Sequence, residues 1–149
     1  MGLDFKLTSN IGNITKELER TQLDKMNKAV HAVRTTTLNT LAGQGTGRTY
    51  KVPGTKRTYT ASAPGEPPAQ ATGELRQHVS VDVSGNSGKL IGRVGIPSSA
   101  KHKTTKVSIG DYAICLEYGT KNMEPRPWLK RSFDESKPEV ERIFGEQWL

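Results

Sequence analysis

Val79-Ser-Val-Asp-Val-Ser-Gly-Asn-Ser-Gly-Lys-Leu-Ile-Gly-Arg-Val-Gly-Ile96 carries two kinds of signal in one short stretch. Val79, Val81 and Val83 alternate with polar residues, and Leu90, Gly92, Val94 and Ile96 repeat the same step of two. Successive strand side chains point to opposite faces, so each run presents one apolar face. Between them, Ser84-Gly-Asn-Ser-Gly88 is composed of residues that tolerate turns. The stretch predicts an antiparallel hairpin that ends at Pro97, which has no N–H for a ladder.

Upstream the period changes. Ile11, Ile14, Leu18, Met26, Ala29, Val30, Val33 and Leu41 recur mostly at helical spacing, with no Gly or Pro after Gly12. This predicts a long amphipathic helix over residues 11–42, with Asn10 or Asn13 as its cap and Gly43 as its stop. Gln22, Lys25 and Thr37 thin the stripe, so one side is expected to face a groove or another subunit.

Residues 43–68 lack any apolar period. Arg-Thr-Tyr occurs at 48–50 and again at 57–59, on either side of Pro53-Gly54. That pattern fits a two-stranded arm turning at Pro-Gly, with Lys51 facing Lys56, or a flexible loop in the free protein. Pro64-Gly65-Glu66-Pro67-Pro68 reads as an extended connector.

Downstream of the hairpin, residues 98–106 form a basic polar loop, and residues 107–109 are expected to pair briefly. Tyr112 and Leu116 are spaced for a short helix closed by Gly119. Pro127 suits the first turn of a helix carrying Trp128, Leu129 and Phe133, and Pro138 is expected to break or kink it. Val140, Ile143, Phe144 and Trp148 make a last apolar stripe.

Little in the chain suggests reaction chemistry. Residues 43–49 resemble a phosphate loop superficially, but Gly43 and Gly47 enclose three residues instead of four and Arg48 replaces Lys. That segment reads better as a flexible exit from the long helix. His31, His78 and His102 are scattered, with no metal-ligand spacing. Cys115, the only cysteine, lies between Ile114 and Leu116 and reads as a packed thiol. Glu117 stands near a helix C-terminus, where an acid opposes the macrodipole. It is read either as an ion pair, with Arg126 or a neighbouring subunit, or as a solvated side chain.

Composition sets the remaining bounds. In 149 residues, Leu, Ile, Val and Phe make up about a fifth, enough for one small core. Order in the longer polar stretches is expected to arrive partly with partners. The opening Met1-Gly2-Leu3-Asp4-Phe5 lacks signal-peptide features, and no run nears the ~20 apolar residues of a membrane span. A soluble, cytoplasmically made, membrane-free protein is expected. The net charge is +7. Arg48, Lys51, Lys56 and Arg57 face one acid, Glu66, in residues 43–68. Lys89, Arg93, Lys101, Lys103 and Lys106 have no acid among residues 89–106. Such asymmetry favours a polyanion or an acidic protein surface as neighbour.

Three stiff segments recur in a fixed order: Pro64-Gly-Glu-Pro-Pro68 with Thr72-Gly-Glu-Leu-Arg76, then Tyr112-Ala-Ile-Cys-Leu-Glu-Tyr-Gly-Thr120, then Arg126-Pro-Trp-Leu129. In sequence, spacing and order they resemble the neck and tail-completion proteins of tailed bacteriophages, over about half the chain. His78 and Lys130-Arg131-Ser132 depart from that pattern. The resemblance implies an α+β fold with the long N-terminal helix packed on a small antiparallel sheet over residues 72–110, a basic extended loop or hairpin arm over 43–68, and short C-terminal helices over 111–149. It also implies a homo-oligomeric ring at the head–tail junction of the virion, assembled in a bacterial cytoplasm. DNA would pass through this ring without sequence readout, and connector and tail proteins would adjoin it.

Carried over by position, the residues expected to shape the fold or contact neighbouring subunits are Gly65, Pro67, Pro68, Thr72, Gly73, Leu75, Arg76, Tyr112, Ala113, Glu117, Gly119, Thr120, Pro127 and Leu129. Tyr50, Lys51, Lys56, Arg57 and Tyr59 are expected to dock the arm, and Lys101, Lys103 and Lys106 to face DNA or an adjacent ring. No catalytic residue, metal or cofactor is expected. The rival readings are a sequence-nonspecific nucleic-acid-binding protein and, with no converging acid, base or metal set to support it, a small enzyme.

Overall fold

The computed structural model describes residues 11–86 and 88–148. Asn10, the opening residues 1–5 and Ser87 of the expected turn lie outside them.

The first helix, α1 (Ile11–Thr40), is unbroken over 30 residues. It buries Lys25, Ala29, Val30, Val33 and Thr37, one face at steps of three and four. Thr37 can be fully enclosed because its hydroxyl donates to the Val33 carbonyl at 2.8 Å. The helix ends at Thr40, ahead of the expected glycine stop. Leu41 turns into the core there, and Gly43 lies beyond it, its carbonyl accepting the Gln70 N–H. Burial of Leu41, not a left-handed glycine, ends the helix.

A first hairpin pairs β1 (Thr49–Lys51) with β2 (Thr58–Thr60). The arm is therefore two-stranded, and Pro53-Gly54 is its turn, with Gly54 at φ 75° and the Thr55 N–H bonded to the Val52 carbonyl. The expected facing of Lys51 and Lys56 is corrected: Lys51 lies opposite Thr58. The loop is wider than two residues because the Val52 N–H reaches the Arg57 carbonyl and Val52 is buried. This register separates the two ammonium groups.

The expected connector over 64–68 is extended only in part. Its start is a turn at Pro64-Gly65, closed by the Glu66 N–H on the Ala63 carbonyl. The short α2 (Glu74–Gln77) follows. The second sheet pairs β3 (Ser80–Asn86) with β4 (Lys89–Gly95) in the register Val81↔Val94, Val83↔Gly92 and Asn86↔Lys89. Pairing thus runs through Ser84–Asn86, which the sequence reading assigned to the turn. The sheet lies on α1, and Gly92 lets it approach. A Cβ at Gly92 would meet Val30 Cγ1 at 2.4 Å and Met26 Sδ at 2.7 Å.

Two helices complete the chain. α3 (Ile109–Tyr118) begins at Ser108, whose hydroxyl accepts the Asp111 N–H. α4 (Leu129–Gly145) runs antiparallel along α1. Pro127 precedes α4 rather than starting it, and Pro138 lies inside without breaking it. An interior proline removes one hydrogen bond at about 3 kcal/mol. Packing along α1 and the fixing of both ends of α4 outweigh that loss. The core gathers Leu41, Val79, Ala113, Leu116 and Trp128, with Leu38, Leu75, Val94, Ile96, Met123 and Leu129 around them. It therefore sits at the C-terminal end of α1. Every residue from 11 to 20 is exposed.

Candidate functional site

The three stiff segments meet in one knot of main-chain hydrogen bonds. The Gly65 N–H donates to the Pro125 carbonyl at 3.0 Å, tying the first segment to the residue just ahead of the third. Arg126 reinforces that tie: its N–H bonds the Leu116 carbonyl at 2.7 Å, and its Nε and Nη2 both donate to the Ser62 carbonyl. Gly119 and Thr120 close the second segment, with paired hydrogen bonds between Thr120 and Met123. At Gly119, φ is 77° and a Cβ would meet the Met123 carbonyl oxygen at 2.8 Å, so a side chain there is blocked twice over. Pro67 is half-buried and Pro68 buried, and Leu75 packs against the core. Arg76 Nε donates to the Leu38 carbonyl at 3.0 Å. Thr72 and the left-handed Gly73 start α2. Ala113 is buried, and its carbonyl accepts the Trp128 indole N–H at 3.2 Å.

Glu117 is neither paired with Arg126 nor left in solvent. Its carboxylate accepts the main-chain N–H groups of Trp128, Leu129 and Lys130 at 2.8, 2.9 and 3.0 Å. These are donors that the first turn of α4 leaves without helical partners. Trp128, at the N-cap position, has no capping side chain of its own. The opposite end is held by Lys25, which the sequence reading treated as a gap in a stripe. Lys25 is 3% exposed, and its Nζ donates to the carbonyls of Ile143 at 2.8 Å and Glu146 at 3.1 Å while lying over the Trp148 ring. An anion at the N-terminus and a cation at the C-terminus both interact favourably with the α4 macrodipole. Nothing about Lys25 in the sequence carries such a signal, because its partners are main-chain oxygens far along the chain.

Glu66 fixes the exit from α1, which is not free. Its carboxylate accepts from the Thr46 hydroxyl, the Thr46 N–H and the Ala63 N–H. The Thr46 hydroxyl first, then these two amides, hold the Glu66 carboxyl below the usual carboxylate range. Tyr112 stands half-exposed; partial burial and the nearby Tyr59 raise its phenol above the ordinary value, with Arg126 opposing.

The cationic sets remain available. Tyr50 and Tyr59 stack at 6.0 Å on the arm. The side chains of Lys51, Lys56 and Arg57 are exposed and make no hydrogen bond or ion pair among the described residues. The same is true of Lys101, Lys103 and Lys106. Their loop is tied down by the Lys101↔Ser108 bridge and by Glu74, which meets His102 Nε2 at 3.4 Å and the Lys103 N–H at 3.3 Å. The sequence separates Glu74 from His102, so that pairing was not legible there. Lys106 is held at φ 59°.

A groove of about 1020 Å³ opens between α1, β4, α3 and α4. Met26, Val94 and Ile96 line its floor, while Ile114, Tyr118 and Phe133 stand exposed along it. A smaller cavity of about 370 Å³ joins Pro68, Thr72, Gly73, Leu75 and Arg76 to Tyr112. The smaller cavity also holds His102 and Glu74 beside the Ser108 hydroxyl, which accepts the Asp111 N–H, and no group of three His, Cys, Asp or Glu side chains that could hold a metal ion converges among the described residues. Glu117, on the groove wall, already has its oxygens occupied. The site offers shape and apolar area. No protein-family model, curated protein or solved structure matches the chain.

Proposed function

We propose that this chain is a structural joining protein of the tailed-bacteriophage neck, assembling as a ring through which DNA passes. The phage assignment rests on the order of the three stiff segments, and the knot they form gives those residues a shape-holding role. One observation carries the assembling part of the reading: eleven large apolar side chains are exposed among the described residues, eight of them on α1 and around the large groove and α3. Apolar surface on this scale marks a protein interface. A ring lets a chain with a small core bury that surface between copies, and closed symmetry repeats the contact. The arm cations dock a neighbouring subunit, and Lys101, Lys103 and Lys106 face DNA or the next ring. No cofactor enters this role. Native mass spectrometry of the chain and averaged electron images of particles down the tail axis test it, with a ring at the neck expected. A chain absent from finished virions, or a solitary molecule that turns over a substrate, sinks the reading.

The unpaired cations beside the Tyr50–Tyr59 pair favour one alternative, a nucleic-acid-binding protein without sequence preference. That reading requires tight duplex binding by the isolated chain, with affinity falling steeply as salt rises.

A further inference from the structure

The apolar stripe of α1 continues beyond the part that packs. Ile11, Ile14 and Leu18 lie at i, i+3 and i+7, on one helix face, yet all three are exposed, Ile11 at 73%. Residues 11–20 project about 15 Å past the packed body at 1.5 Å per residue. A helical segment of that length gains stability mainly by packing an amphipathic face, and among the described residues nothing covers this one. The same chain also carries a large open apolar groove, whose exposed Ile114, Tyr118 and Phe133 lack a cover.

We infer that the α1 overhang of one copy seats Ile11, Ile14 and Leu18 in the α1–β4–α3–α4 groove of a second copy. This contact rests on the assembling reading above and names its interface. The area supports the match. The exposed parts of those three residues and of Ile114, Tyr118 and Phe133 come to roughly 500 Å². The smallest stable interfaces need about 700 Å² of apolar area, and half-buried groove walls such as Val140 and Phe144 supply the remainder. Two overhangs packed on each other would bury only about 400 Å² and leave both grooves open. A convex helix entering a concave groove is a heterologous contact, and such contacts propagate in one direction until a ring closes.

Two full-length variants test the contact. One carries Ile14→Asp and Leu18→Asp on the overhang; the other carries Tyr118→Asp and Phe133→Asp in the groove. All four positions are exposed, so both variants should melt within a few degrees of wild type. Should either melt early, the Leu18→Ser and Phe133→Ser pair replaces it. By native mass spectrometry across a concentration series, each variant alone should need at least tenfold more protein than wild type to oligomerise. An equimolar mixture should stop at a one-to-one heterodimer, because only one overhang and one groove remain usable. If wild type and both variants oligomerise at the same midpoint, this contact is wrong while the assembling reading stands. A dimer of the groove variant alone overturns it in favour of overhang-on-overhang pairing. Wild type that is monomeric at every concentration also overturns the contact. Absence of the chain from finished particles is the separate result that removes the reading itself.

Discussion

The Glu117 carboxylate accepts the main-chain N–H of Trp128 at 2.8 Å, and through that bond the end of α3 starts α4. The next two amides reach the same carboxylate, so one side chain does the work of a helix cap from eleven residues upstream. Charged acceptors make stronger hydrogen bonds to amides than neutral ones. Glu117→Ala should lower stability by about 1–2 kcal/mol, the range for losing a helix cap. Glu117→Gln, which keeps a neutral acceptor, should lose about half as much. Urea unfolding measures both, and a neutral Glu117→Ala would refute the capping role.

Lys25 and Glu117 hold opposite ends of the same helix. Lys25→Met preserves the stem but leaves the Ile143 and Glu146 carbonyls without their donor. The expected loss is about 2 kcal/mol, from the unsatisfied acceptors and the macrodipole together. Amide exchange should rise over the last turn of α4 and stay unchanged near Trp128. Seventeen residues put the two sites about 25 Å apart, so the two losses should add within about 0.5 kcal/mol.

Those two residues also mark how far the sequence was legible. Periods of two and 3.6 located β3, β4 and α1 because apolar periodicity follows the repeat of the backbone, and Pro53-Gly54 located the arm turn because φ is fixed there. Glu117 stood out as an acid in the wrong place, but its partners are backbone amides, which have no sequence signature. Lys25 looked like an interruption for the same reason. The break offered at Pro138 does not occur, because local propensity cannot register the tertiary packing along α1. The groove was not legible at all: Gln22, Lys25 and Thr37, which thinned the helix stripe, do not line it, and its walls come from four separated elements.

Gly92 is where β4 crosses α1. Gly92→Ala places a methyl 2.4 Å from Val30 Cγ1, so the sheet must lift or Val30 and Met26 must move. Overpacking of this kind costs about 1–3 kcal/mol. Gly95→Ala serves as the control, since nothing lies within 4 Å of its Cβ position. Thermal unfolding should separate the two, with only the Gly92 variant shifted downward. Equal shifts would mean that the close approach does not govern the site.

Glu66 predicts an acid-sensitive exit loop. Its carboxyl is depressed by the Thr46 hydroxyl and by the Ala63 and Thr46 amides, so the folded value lies below the ordinary 4.5. A depressed carboxylate contributes stability that is complete above the unfolded value and lost as pH falls through the folded one. The Thr46 and Ala63 amides should therefore exchange faster only below about pH 4.5, relative to the trend of neighbouring amides. Carboxyl-carbon NMR gives the Glu66 midpoint directly. A midpoint at or above 4.5 would remove the basis for the loop anchor.

The arm provides the test with the cleanest separation of folding from assembly. Lys51, Lys56 and Arg57 are exposed and make no internal ion pair, so reversing their charge has no native contact to break. Surface changes of this kind usually stay within about 0.5 kcal/mol. Lys51→Glu/Lys56→Glu/Arg57→Glu should therefore unfold like wild type yet fail to join tails to heads in a complementation assay. If the arm docks on an acidic surface, wild-type joining should weaken with salt, because exposed charges are screened within about 8 Å at physiological ionic strength. The reversed variant should instead show little salt dependence. Reversing Lys101, Lys103 and Lys106 acts at a different place in the reading, where the loop meets DNA or the next ring, and should leave subunit association intact. Normal tail joining by the arm variant would reject the docking role, because no folding defect stands ready to explain its failure or its success.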